Sequence, residues 1–501
     1  MTSYNTIDGV PCTSNKYLLT DVLRDQWGFK GFVYSDLTSI EGIVGARVAK
    51  DNKEAAVLAL KAGLDMDLGG NAYGKNLQKA LEEGAITMDD LNRAVANVLR
   101  LKFRMGLFEN PYVSPEQAKQ VVRSKAHKEL AREVAREGIV LLKNEGVLPL
   151  KKNIGNIAVI GPNADMMYNQ LGDYTAPQER EEIVTVLDGI RKAVSPSTKV
   201  NYVKGCAIRD ITTSNITAAV EAARAADAVV LVVGGSSARD FKTKYIGTGA
   251  ADVSNDGNQL LSDMDCGEGY DRSTLRLLGD QEKLLKAVAA TGKPLVVIYI
   301  QGRTLNMNLA SEKAQALLTA WYPGEQGGTA IADVLFGDYN PAGRLPVSVP
   351  RSEGQLPLFY SQGKQRAYVE EEGTPLYAFG YGLSYTKFDY SQLEMQKGNG
   401  KDVLQTVSCT VTNTGDCDGE EVVQLYICDK VASVSQSPIL LKAFERISLK
   451  KGESKKVTFT LGEEELSLYN MEMKQVVEPG DFKVMVGAAS DDIRLEGEFT
   501  L

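Results

Sequence analysis

The chain has 501 residues, a formal net charge of −9, 43% apolar and 24% charged residues, the proportions of an ordinary globular protein of two to four domains. Scattered lysines and arginines under an acidic balance argue against a nucleic-acid or anionic-membrane partner, and the longest apolar runs, Ala228 to Val233 and Leu295 to Ile300, are too short to span a bilayer. Six cysteines (Cys12, Cys206, Cys266, Cys409, Cys417, Cys428) without a Cys-x-x-Cys, and one histidine, His127, give no zinc pattern; no metal or cofactor is expected.

The opening residues do not read as a signal peptide. Leu18, Leu19, Val22, Leu23 and Trp27 form the apolar face of a helix. Gly31-Phe32-Val33-Tyr34-Ser35-Asp36 then reads as a short buried strand that delivers a carboxylate at its C-terminal end. In a (β/α) barrel reactive side chains sit at such ends. An aspartate there can be a nucleophile, a base, a metal ligand, or the closing residue of a turn. Ala55 to Ala62 is helical, Leu64 to Leu68 a second strand, and Lys75 to Leu81 helical. Thr87-Met88-Asp89-Asp90 reads as a capping box before a long helix that turns Leu91, Val95, Val98, Leu99 and Phe103 inward. Residues 1–106 hold few strands, whereas a closed barrel has eight in about 250 residues; they read as the C-terminal part of one.

Residues 107–135 are a linker, broken by Asn110-Pro111 and Ser114-Pro115, and a charged helix on which His127 is solvated. Over 136–350, apolar runs at 156–161, 199–203, 228–234, 294–300 and 316–321 alternate with helical segments at 185–194, 215–226, 280–290 and 326–336. That order means βαβ units and a mostly parallel sheet covered on both faces. Gly161-Pro162-Asn163 lacks the phosphate-binding patterns and reads as a turn. One connection, 236–279, is far longer than ordinary loops, which marks it as functional or disordered. It gathers Asp263, Asp265, Glu268 and Asp271, with Gly267 and Gly269 beside the glutamate. Trp321-Tyr322-Pro323 reads as core rather than as a sugar platform.

Residues 351–386 are a turn-rich connector. From 387 to 501 helices vanish, and Val407 to Val411, Glu421 to Ile427, Lys455 to Leu461 and Phe482 to Val486 alternate at period two, as in an antiparallel β-sandwich. Within it the cysteines read as free buried thiols, with a Cys409 pairing to Cys417 or Cys428 as the alternative.

Taken together, Ser3-Tyr4-Asn5, Asn15-Lys16-Tyr17, Trp27-Gly28-Phe29 and Tyr34-Ser35-Asp36 resemble glycoside hydrolase family 3. So do Gly138 to Asn144, Cys266-Gly267-Glu268-Gly269-Tyr270-Asp271-Arg272, Pro341 to Pro346 and Phe379 to Tyr385. The resemblance covers nearly all of this chain and the C-terminal two-thirds or so of a typical member; in the remaining stretch members keep an Asp, Arg residues and a Lys-His pair that grip the sugar. It implies a multidomain α/β plus β protein: part of a (β/α)8 barrel, an α/β sandwich, and a fibronectin type III-like domain read here as a packing module. It further implies Asp36 as nucleophile, Glu268 as general acid/base, Tyr4 as a sugar contact and Asp173, in Gln170 to Thr175, as a weaker candidate. The implied activity is exo-acting retaining hydrolysis of β-linked glucose or xylose, in a protein that is periplasmic or secreted when full-length. A catalytically impaired remnant or a binding module is the alternative. Members usually carry Trp after the nucleophile; Leu37 here removes an aromatic platform on the leaving-group side. Such an enzyme needs one ionised carboxylate and one protonated acid about 5–5.5 Å apart, with environments that push their pKa values apart.

Overall fold

A computed structural model of the chain describes residues 1–238, 263–267, 271–363 and 367–501. It divides into two units, with the break after Val122.

In the first unit three extended segments run side by side. Thr2 N donates to Tyr34 O at 2.9 Å, Ser35 N donates to Met66 O at 3.0 Å, and Tyr34 and Met66 form a parallel bridge. Helices separate these segments in sequence, the order of consecutive strand–helix units of a (β/α) barrel. Helix α1 (Asn52–Ala62) is capped by Asp51 and buries Ala55, Ala56, Ala59 and Leu60. Helix α2 (Met88–Arg104) starts on the expected capping box, Thr87 and Asp90 each bonding the other's backbone.

The face expected for α2 is corrected. Its buried positions are Ala94 and Asn97, while Val95, Leu99 and Phe103 are 54%, 38% and 60% exposed. A polar contact sets the rotation: Asn97 Nδ2 donates to Asp65 Oδ1 at 3.0 Å. The other oxygen of Asp65 accepts from Arg24 at 2.6 Å and from Val33 N at 2.8 Å. A buried carboxylate held by three partners outweighs the pull of apolar side chains toward the core, because leaving it short of a partner costs more. Trp27 is also corrected: it is exposed, not inward. Residues Tyr17–Gln26 wind with i→i+5 bonding, Trp27 N donating to Val22 O, and that wider turn moves Trp27 off the apolar face.

The second unit opens on helix α3 (Lys125–Gly138) and builds a six-stranded sheet: β1 (Val140–Asn144), β2 (Asn156–Ile160), β3 (Lys199–Val203), β4 (Ala228–Gly234), β5 (Leu295–Ile300) and β6 (Ala316–Trp321). Their spatial order is β1-β6-β5-β4-β2-β3, parallel except for β1 against β6. Alternation along each strand fills two cores. Ile157, Val159, Val230 and Val232 face the helices Val186–Ala193 and Gly327–Phe336. Ala158, Ile160, Val229 and Leu231 face the helices Ile216–Ala225 and Gln281–Ala289. Both faces being covered, the strands read as unbroken apolar runs. Gly189 and Gly328 let two of these helices touch backbone to backbone: a Cβ on Gly189 would lie 1.9 Å from Gly328 O.

The charged segment expected as one helix is two, Pro115–Val121 and α3. Arg123 between them has φ +55°, and Ser124 caps α3 through His127 N.

Seven further strands make the C-terminal sandwich: β7 (Phe388–Lys397), β8 (Gln405–Asn413), β9 (Gly419–Asp429), β10 (Leu440–Leu449), β11 (Ser454–Leu461), β12 (Asp481–Ala489) and β13 (Asp492–Thr500). One sheet is β11-β8-β7 and the other β10-β9-β12-β13, all antiparallel, over a shared core of Val407, Leu425, Phe459 and Val484. Strand β7 carries many exposed polar side chains, which hides its alternation in the sequence, and most of β10 is half-buried. All six cysteines are free.

Candidate active site

In the first unit the segment around Val33 ends at Asp36, half-buried, with Oδ1 accepting from Leu37 N at 2.7 Å. Ser35 is fully buried, and its hydroxyl accepts from Leu68 N at 2.8 Å. That bond locks the Asp36 segment to its neighbour one residue before the carboxylate. Tyr4, at the end of the adjoining segment, donates its hydroxyl to Leu37 O at 2.7 Å. Tyr4 and Asp36 therefore converge on one residue, Leu37. Thr38 next to it has φ +57°, a strained state for a β-branched residue.

Two acids that sequence reasoning missed lie beside this end. Asp67, near the end of the segment bridged at Met66, and Glu41 both approach Gly70: a Cβ there would meet Asp67 Oδ1 at 2.6 Å and Glu41 Oε1 at 2.7 Å. Burial, and then the charge of Glu41, push the Asp67 carboxyl up from its ordinary value. The strand-end argument that picked out Asp36 applies equally to Asp67; Glu41 has no comparable signal.

In the second unit the long connection leaves the C-terminal end of β4 and returns to the helix Gln281–Ala289. Asp265 is the anchor. Its Oδ1 accepts from Ser236 N at 2.6 Å, its own N donates to Ser236 O at 2.8 Å, and it pairs with Arg272; both side chains of the pair are 3% exposed. Asp271 pairs with Arg303 at 2.7 Å, and Asp263 accepts from Ile208 N at 2.9 Å. Glu268 lies outside the described residues. Gly267, which precedes it, sits beside Asp173: a Cβ on Gly267 would lie 3.3 Å from Asp173 Oδ2. Tyr322 packs nearby, with Ser237 and the Cys266 thiol at its hydroxyl, and burial pushes that phenol up to about 12. In open α/β sheets ligands gather at such strand ends. Among the described residues no group of three or more His, Cys, Asp or Glu is placed to hold a metal ion, and no helix is long and apolar enough to cross a membrane.

Family comparisons agree with this division. Residues 1–101 match the glycosyl hydrolase family 3 N-terminal domain, 139–385 its C-terminal domain, and 421–490 a fibronectin type III-like domain. The chain belongs to glycoside hydrolase family 3. It is 39% identical to a periplasmic β-glucosidase of Salmonella typhimurium, covering 100% of this chain and 67% of that protein. Identity is also 39% to a β-xylosidase of Formosa agariphila, over 99% of this chain and 68% of that one. Among solved structures, a β-glucosidase of Erythrobacter marinus superposes with a TM-score of 0.89 at 36% identity, covering 100% of this chain and 67% of that one. A Listeria innocua β-glucosidase in complex with glucose gives 0.86 at 32%, with coverage of 100% and 67%. The chain thus spans about two thirds of the length of these relatives.

Proposed function

We propose that this chain carries the two reacting groups of an exo-acting retaining β-glycosidase for terminal β-linked glucose or xylose. Asp36 attacks the anomeric carbon while the Glu268 carboxylic acid protonates the departing glycosidic oxygen. The sugar is then ester-linked to Asp36, and Glu268, now a carboxylate, takes a proton from the water that releases it. Tyr4 steadies the nucleophile through Leu37 and faces the sugar; Asp173 flanks the acid's loop. A periplasmic or secreted location for the natural protein goes with this reading. The observation that carries it is the setting of Asp36: a half-buried carboxylate at the end of an extended segment, with Oδ1 held by Leu37 N and the segment locked to its neighbour through buried Ser35.

Hydrolysis of aryl β-glucosides and β-xylosides tests the reading. Asp36→Ala is expected to lose essentially all turnover and to regain product, of inverted configuration, on adding azide. Glu268→Ala is expected to slow alkyl glycosides and disaccharides far more than a dinitrophenyl glycoside, whose leaving group needs no proton. Near-native turnover of Asp36→Ala would overturn the nucleophile assignment.

A second reading rests on the first unit, where three extended segments pair among the described residues and a closed barrel has eight. Here turnover requires further barrel strands from outside the chain. Assaying the 501-residue chain alone and mixed with the leading barrel segment of a relative separates the two: activity only in the mixture favours the second.

A further inference from the structure

Trp321 ends β6 with φ +53°, a left-handed state that a bulky side chain resists. The surrounding structure holds it there. Gln301 N, one residue past β5, donates to Trp321 O at 3.0 Å, and the Gln301 side chain donates to Thr319 Oγ1 at 3.0 Å; both Gln301 and Thr319 are fully buried. Backbone strain that is over-determined in this way clusters at functional sites. Here it sets the direction in which the next residue, Tyr322, leaves the sheet.

Tyr322 joins segments that are far apart in sequence. Its hydroxyl meets Ser237 and the Cys266 thiol, residues at the departing and the returning end of the long connection. Its ring lies against two glycines: a Cβ on Gly302 would be 2.6 Å from Tyr322 Cε2, and one on Gly172 2.9 Å from Cδ2. Gly172 leads into Asp173, whose Oδ2 would lie 3.3 Å from a Cβ on Gly267. One side chain thus touches the departing strand end, the returning stretch and the Asp173 turn. Arg303, three residues past β5, donates to the Cys266 thiol and pairs with Asp271 at 2.7 Å. The stretch is therefore held on both flanks of position 268. With glycine backbone against the ring and the hydroxyl engaged, Tyr322 acts as a support and not as a sugar platform.

We propose that Tyr322 is a positioning residue for proton donation: it fixes Cys266 and Gly267 against the Asp173 turn, and so fixes the point from which Glu268 follows in the chain. The proposal rests on the reading of Glu268 as the general acid.

The test uses the full chain with Tyr322→Phe, which keeps the ring and removes the hydroxyl, and with Gly302→Ala, which keeps the hydroxyl and displaces the ring. Hydrogen exchange read by mass spectrometry comes first. Peptides covering Asp263 to Gly267 should exchange about tenfold faster in both variants, the worth of one lost hydrogen bond, while β4, β5 and β6 keep their protection. Hydrolysis comes second, with the chain alone or mixed with the leading barrel segment of a relative, whichever turns over. Tyr322→Phe should lower kcat about tenfold on alkyl glycosides and much less on a dinitrophenyl glycoside, whose leaving group needs no proton, with KM little changed. Three results would each overturn the proposal: unchanged exchange at Asp263 to Gly267 in Tyr322→Phe, an equal rise in the strands, or an equal loss of kcat on both glycosides. If the wild-type chain hydrolyses neither glycoside under either condition, the glycosidase reading fails, and the exchange data alone decide whether Tyr322 holds the loop.

Discussion

Thr38, two residues past the candidate nucleophile, holds φ +57°, and its N donates to Leu68 O at 3.3 Å. A β-branched residue in that region costs of order 1–3 kcal/mol, and the flanking bonds of Ser35 and Leu37 keep it there. Thr38→Gly should relieve the strain, raising stability to denaturant by about 1 kcal/mol after glycine's own entropy loss, yet lower turnover by loosening the frame of Asp36. Denaturant titration beside kcat measures both; a variant that is no more stable would remove the strain argument. Thiols give a second handle at this scale. Burial pushes Cys206 up from its ordinary 9.0 to about 12 and Cys409 to about 11. Both should resist alkylation at pH 8 until the chain unfolds, while exposed Cys417 reacts first. The linkage has a definite sign. Above pH 9 an unfolded thiol ionises while folded Cys206 keeps its proton, so stability falls as pH rises from about 9 toward 12.

Among the elements, the feet of the long connection are held by a buried pair, Asp265 with Arg272, beside the buried Leu277. Arg272→Met would leave Asp265 buried and charged, at a cost of about 3–5 kcal/mol. Its expected signature is a lowered melting temperature and new protease cleavage between residues 236 and 279. The double variant Asp265→Asn with Arg272→Met should recover much of the loss, since removing both charges leaves none stranded. A double variant as unstable as the single would show that the segment depends on contacts other than the charge pair. In the first unit Asp65 plays the corresponding part, joining Arg24, Val33 and Asn97.

For the whole molecule, the two units differ in how they bury apolar surface. The second encloses two cores over its sheet and a third in its sandwich. The first has two small clusters, and Phe103, Met105, Phe108, Tyr112 and Val113 are exposed near its end. Stability follows enclosed apolar area. Trypsin should therefore cut first around Lys102, Arg104 and Lys119 and degrade the first unit, leaving a resistant fragment from about residue 125 to 501. Mass spectrometry of the time course reads this directly; a first unit that outlasts the second would contradict it.

Much of this was legible in the chain itself. The α/β layer could be read because strands covered on both faces must be apolar throughout, as at Ala228 to Val233, and the intervening helices begin at Thr185 and Asn215 caps. The family could be read because Tyr34-Ser35-Asp36 and Cys266 to Arg272 stand in the right order and spacing. Other features were decided only in three dimensions. The phase of α2 follows Asn97 reaching Asp65, a contact across 32 residues that no local pattern encodes. Strand β7 formed from largely polar sequence because its neighbour β8 supplied its hydrogen bonds, and sheet pairing is non-local. Glu41 and Asp67 meet over Gly70, and the Arg344–Glu421 pair joins the end of the α/β layer to a strand 77 residues away. Local order is written in periodicity and caps; long-range polar contacts depend on the path the folded backbone takes, and that path was settled by the tertiary structure.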